Sequence, residues 1–124
     1  MHLSQAEFTE LVSQALDEVP NEFLEKLENV YITVEDYPTA EDYQNTHLPP
    51  DRTILGIYHG VPIGLRSPFA TGIVMPDRIT LFQRNIEAFA HSPEELKQEI
   101  RRTVLHEIAH HFGISDARLR ELGY

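Results

Sequence analysis

Residues 92–113, SPEELKQEIRRTVLHEIAHHFG, combine a helix start, a long run without a breaker and a helix stop. Ser92 sits where an N-cap belongs, Pro93 suits the first helical position, and Glu95 falls where it closes a capping box. The helix should run for about five turns. Gly113 can take the left-handed backbone that ends a helix, with Ile114 folding back near Ala109. Whatever else the chain builds must pack around this rod. Val104, Leu105, Ile108, Ala109 and Phe112 share the side that a core would take.

His106 and His110 are four residues apart, so their imidazoles stack one turn above the other and can reach one metal ion. Glu107 points about 100° away from His106. That is too far for a natural third ligand, but close enough to act as general base for a metal-activated water attacking a carbonyl. Zinc normally takes three protein ligands with one position open. The turn at Gly113 offers the third by bringing Asp116 back towards the histidines. The chain has no cysteine, so only His, Asp or Glu can hold a metal. Two imidazoles and a carboxylate also suit Mn, Fe, Co or Ni.

Simpler readings exist for each residue. The histidine pair is otherwise a solvated helix face, and Asp116 is otherwise a favourable charge in the first turn of a short helix, DARLREL. A carboxylate has lone pairs enough for both of those tasks. His111 lies one turn after Glu107 and is either a partly exposed helix histidine or a neighbour that holds Glu107 or touches substrate. His2, His47, His59 and His91 lack partner spacing and read as surface or turn residues.

Elsewhere, Ser4 and Glu7 form a capping-box pattern for a first helix reaching about Glu18, and Pro20 opens a second helical piece, NEFLEKLE. Residues 30–37 read as a strand, and residues 38–52 as a polar loop with at most one helical turn. TILGIYHGVPIGL suggests a hairpin in which Gly60 has a positive φ. Residues 79–82 alternate as a strand that is apolar on more than one face. One domain spanning residues 1–124 is expected.

The net charge of −10, from 20 acidic and 10 basic residues, argues against nucleic acid and anionic membranes as partners. The first residues lack the basic and apolar regions of a signal peptide, and no apolar run has the length of a membrane span. A cytoplasmic protein is the expectation.

The motif HExxHxxGxxD, filled by His106, Glu107, His110, Gly113 and Asp116, resembles that of the zincin metallopeptidases. From LGIYHGVP through PDRITLFQRNIE to LHEIAHHFGISDARLREL, the second half is similar to a family of small bacterial minimal zincins. The resemblance implies an α+β, zincin-like fold, with a small mixed sheet packed on helices and the motif on the long C-terminal helix. It also implies zinc held by His106, His110 and Asp116, Glu107 as catalytic base, and a peptide or protein substrate. Larger relatives carry a methionine-containing turn beneath the metal. Eight residues follow Asp116 and none is methionine, so the floor of the site must be built differently. Tyr58, Arg66 and Asp77 lie in segments that carry the resemblance. They are expected near the cleft, where Tyr58 or Arg66 can serve an oxyanion, although structural roles are the plainer expectation. The strand at residues 79–82 is expected as the sheet edge that pairs with substrate. Two other functions fit the same residues: a zinc-stabilised binding or regulatory module, and a metal-free helical interaction module.

Overall fold

The computed structural model describes residues 2–46, 53–60 and 76–124. Helix α1 (Gln5–Leu16) starts on the expected capping box: Glu7 N–H donates to Ser4 Oγ at 3.1 Å, and Ser4 N–H donates to Glu7 Oε1 at 3.0 Å. It ends two residues before the expected limit. Pro20 takes the N-cap of α2 (Asn21–Leu24), one position earlier than expected, and a 3-10 turn follows over Glu25–Leu27. Strand β1 (Val30–Glu35) is two residues shorter than anticipated.

The stretch after β1 differs more. Residues Ala40–Thr46 form helix α3 where a loop was expected. Thr39 and Asp42 cap it reciprocally, with Asp42 N–H on Thr39 Oγ1 at 3.1 Å and Thr39 N–H on Asp42 Oδ2 at 2.7 Å. Tyr43 gives this helix its apolar contact, against Ile54, Ile57 and Phe82. A single aromatic anchored across the fold is too weak a periodic signal to read in sequence.

Strands β2 (Gly56–His59) and β3 (Asp77–Phe82) complete a sheet of order β1-β3-β2. β3 is its centre, parallel to β1 and antiparallel to β2. The expectation that residues 79–82 form an edge is therefore wrong, because β3 bonds neighbours on both sides; its apolar residues are covered from two faces, Ile79 and Leu81 in the main core with α5 and Phe82 with Ile54, Ile57 and Tyr43. β2 pairs with β3, and residues 61–75, where the other hairpin arm was expected, lie outside the described residues. Gly60 has no positive φ; among the described glycines only Gly113 and Gly123 do. A short helix not expected from sequence, α4 (Gln83–Glu87), follows β3 directly.

Helix α5 (Pro93–Phe112) is the rod read from the sequence. Ser92 Oγ accepts from Glu95 N–H at 3.1 Å, while the Glu95 carboxylate reaches one residue further back, to His91 N–H at 2.7 Å. Its inner face, Leu96, Ile100, Val104, Leu105, Ile108 and Ala109, is fully buried against α1 and the face of β3 bearing Ile79 and Leu81. Each fully buried leucine, isoleucine or phenylalanine contributes about 1.5–3 kcal/mol over an exposed one, so packing holds α5 regardless of its histidines. Phe112 departs from the expected core face: it is 45% exposed, with the Lys26 ammonium 5.1 Å from its ring centre. Helix α6 (Asp116–Glu121) closes the chain, anchored by buried Leu119. No helix among the described residues is long and apolar enough to cross a membrane.

Candidate metal centre

The last turn of α5 ends on Gly113, whose φ of 71° and ψ of 26° are left-handed. Ile114 N–H reaches back to Ala109 O at 2.8 Å, the six-to-one bond of a Schellman stop. Ser115 then caps α6, its Oγ accepting from Arg118 N–H at 3.1 Å, and Asp116 becomes the first helical residue. This reversal brings a carboxylate oxygen of Asp116 and a ring nitrogen of each of His106 and His110 within 4.8 Å of one another. Asp116 thus sits in the first turn of α6 and beside the histidine pair at once.

These donors fit zinc. Ligands about 2.0–2.1 Å from a tetrahedral ion are separated by roughly 3.3 Å, so small side-chain rotations from the observed spacing suffice. The imidazoles are inclined at 77°, with ring centres 6.3 Å apart, as two rings pointing at a common centre would be. The group lies at the C-terminal end of α5, where the helix dipole favours a cation. His106 is held below its ordinary pKa by burial and by the nearby charges of His110 and Arg102, against the pull of Asp116. A neutral imidazole is the form that binds a metal.

Glu107 is half-buried beside this group. Its Oε2 accepts the backbone N–H of Tyr58 at 3.1 Å. β2 is an edge strand among the described residues, so this carboxylate satisfies a donor that the sheet leaves over. Burial pushes the Glu107 carboxyl above its ordinary pKa, while the Tyr58 N–H and His110 pull the other way. Such a carboxylate takes up a proton more readily than one in water.

His111 serves neither as a ligand nor, by any hydrogen bond seen among the described residues, as a holder of Glu107. Its ring stacks on Tyr58 at 4.0 Å and 17°. The Tyr58 hydroxyl donates to Asp77 Oδ2 at 2.6 Å, and Asp77 is only 5% exposed. Tyr58 is thus fixed at its ring by His111 and at its hydroxyl by Asp77, and its N–H faces Glu107. Gly60 permits this: a Cβ there would lie 2.7 Å from His111 Cε1. Tyr58 and Asp77 accordingly brace the site, the structural role favoured for them. Arg66 and His47 lie outside the described residues. His2 meets Arg84 at the surface, His91 is exposed, and His59 is partly buried in β2.

The sequence did not reveal the Tyr58 N–H as a partner of Glu107. A backbone donor carries no side-chain signature, and its direction depends on strand register. Nor did it reveal a cleft of about 310 Å³ between residues 53–56 and Arg102, Thr103, His106 and Glu107 of α5.

A small mixed sheet on a long helix ending in two histidines one turn apart, a half-buried glutamate and a returning aspartate defines a zincin-like arrangement. A family model for zincin-like metallopeptidases matches residues 27–124, and the chain belongs to that family. The matched span leaves out α1 and α2. No curated protein matches the chain. The fold is similar to that of a conserved hypothetical protein from Thermo thermophilus, with a TM-score of 0.54 and 23% identity over 89% of this chain and 94% of that one. At that identity the likeness speaks for the fold alone.

Proposed function

We propose that this protein is a zinc-dependent peptide hydrolase in which His106, His110 and Asp116 hold the ion and Glu107 is the general base. The observation that carries the reading is the meeting of three ligand-type atoms, two imidazole nitrogens and a carboxylate oxygen, within 4.8 Å, with a carboxylate of raised proton affinity on the adjacent helix position. Zinc bound there would act as a Lewis acid on a carbonyl oxygen and draw the pKa of water down towards about 7.

The protein's own part is positional. Glu107 accepts a proton from the attacking water and returns it to the leaving nitrogen. The Tyr58 N–H keeps its carboxylate turned towards the cleft, and the stack of His111 on Tyr58 keeps that N–H in place. A peptide amide is the target favoured by family membership.

The test has two arms. Metal analysis of the purified protein at neutral pH should find about one zinc per chain, and His106→Ala or His110→Ala should lose it. Glu107→Gln should retain the metal and lose turnover of a peptide library. Absence of stoichiometric zinc overturns the metal assignment. Retained zinc without turnover by the wild type replaces the hydrolase with a zinc-stabilised binding module.

A further inference from the structure

The cleft that opens beside His106 and Glu107 is chemically lopsided. One wall is formed by Ile54, Leu55 and Gly56, and Thr103 closes the base with its methyl group. The Thr103 hydroxyl is turned away and donates to Glu99 O at 2.8 Å. A Cβ on Gly56 would lie 2.8 Å from Thr103 Cγ2 and 3.2 Å from Thr80 O, so strand and helix already touch there. The rim is held rigidly, with Asn85 Nδ2 donating to Ile54 O at 2.9 Å and Phe82 N–H to Leu55 O at 3.0 Å. Apolar wall, small volume and fixed rim suit the stem of one substrate group.

Among the described residues, Arg102 is the one Lys or Arg lining this cleft. It stands one turn before His106, about 6 Å along the helix axis. Its side chain is 44% exposed and, among the described residues, the guanidinium has a single contact to a carboxylate, Nη1 to Glu99 Oε1 at 3.3 Å. An exposed pair of that kind is loosely held, whereas a guanidinium has five N–H donors in a fork that matches a carboxylate. In a chain of net charge −10, acidic ligands are otherwise repelled. A local cation at the mouth of an apolar slot reverses that preference at one point.

We propose that Arg102 and the adjoining cleft bind a carboxylate of the substrate, so that the site selects peptides bearing an acidic group close to the reacting bond. The proposal rests on the peptide-hydrolase reading for its consequence, but the binding step does not require turnover or metal. The carboxylate belongs either to an acidic side chain or to a peptide C-terminus.

The experiment uses chelator-treated, metal-free protein, so that zinc cannot itself capture the carboxylate. Three hexapeptides of otherwise identical sequence are titrated and followed by amide and Arg Nε–Hε NMR shifts: one capped at both ends with a central Glu, one capped with Gln in its place, and one with Gln and a free C-terminal carboxylate. An acidic peptide should bind at least tenfold more tightly than the capped Gln peptide and shift the signals of Arg102, Thr103 and Gly56. Which of the two acidic peptides does so identifies the source of the carboxylate. Arg102→Gln, which keeps the stem, should erase the difference, and Arg102→Lys should restore part of it. Equal binding of all three peptides, no saturation by any of them, or a preference that survives in Arg102→Gln overturns the proposal. Turnover by zinc-loaded protein is read separately, so an acidic preference without cleavage sinks the hydrolase reading and leaves this one standing.

Discussion

Glu107 and Glu87 are both drawn out of water, and each accepts a backbone N–H from a distant segment, yet their proton affinities move in opposite directions. Glu87 is 3% exposed and burial would raise its pKa, but Leu3 N–H at 2.8 Å, Gln83 Nε2 at 3.2 Å and Arg84 Nη1 at 2.9 Å more than offset this and hold it below the ordinary value. Glu107 has one such donor among the described residues, Tyr58 N–H, and for it burial prevails. The number of donors on the charged form, not depth alone, decides which carboxylate is a permanent anion and which is ready to take a proton. The first fastens the N-terminal segment to α4. The second stands beside the metal donors.

Replacing each carboxylate by its amide should separate these roles. Glu107→Gln is expected to lower turnover by roughly 10²–10⁴-fold in steady-state assays. The melting temperature of its metal-free form should stay level or rise, because a neutral amide is less costly to bury than a charge. Glu87→Gln should do the reverse, leaving metal content intact while lowering stability by about 1.5–3 kcal/mol in urea unfolding. Its pH signature follows from the depressed folded-state pKa. The stabilisation is complete above about 4.5, the ordinary value, and is lost as pH falls through the lower folded value. Wild type should therefore lose more stability on acidification over that window than Glu87→Gln; parallel curves would mean that Glu87 is no anchor.

Smaller effects probe the turn that returns Asp116. Gly113→Ala meets no atom within 4 Å, so its cost is purely conformational, about 1–2 kcal/mol for a left-handed alanine. Zinc affinity by competition with a chelator should fall with it. Ser115→Ala removes only the α6 cap and should cost about 1 kcal/mol in thermal unfolding.

The part of the site that could be read from sequence is the part made by local geometry. Ser92, Pro93 and Gly113 set the ends of α5, four-residue spacing puts His106 and His110 on one side of it, and the turn at Gly113 returns Asp116. Each of these depends on neighbours within a few positions. What escaped notice depends on register and long-range pairing. Nothing near residues 79–82 says that they lie between β1 and β2, and nothing near Tyr58 says that its N–H points at a helix 49 residues away. α3 was hidden because its one apolar anchor, Tyr43, rests on Ile54, Ile57 and Phe82 from other segments. Phe112 fits the helical stripe yet lies beyond the end of the core, where Lys26 covers its ring.

The short helix carrying Asp116 has moorings of its own: Leu119 is fully buried, and Arg118 bonds to Glu22, in α2, at 2.5 Å. An ion arriving at this corner would therefore find its pincers already assembled, with little ordering entropy left to lose. Unlike a zinc finger, whose polypeptide is formless until loaded, this protein should be disarmed by a chelator without being unravelled.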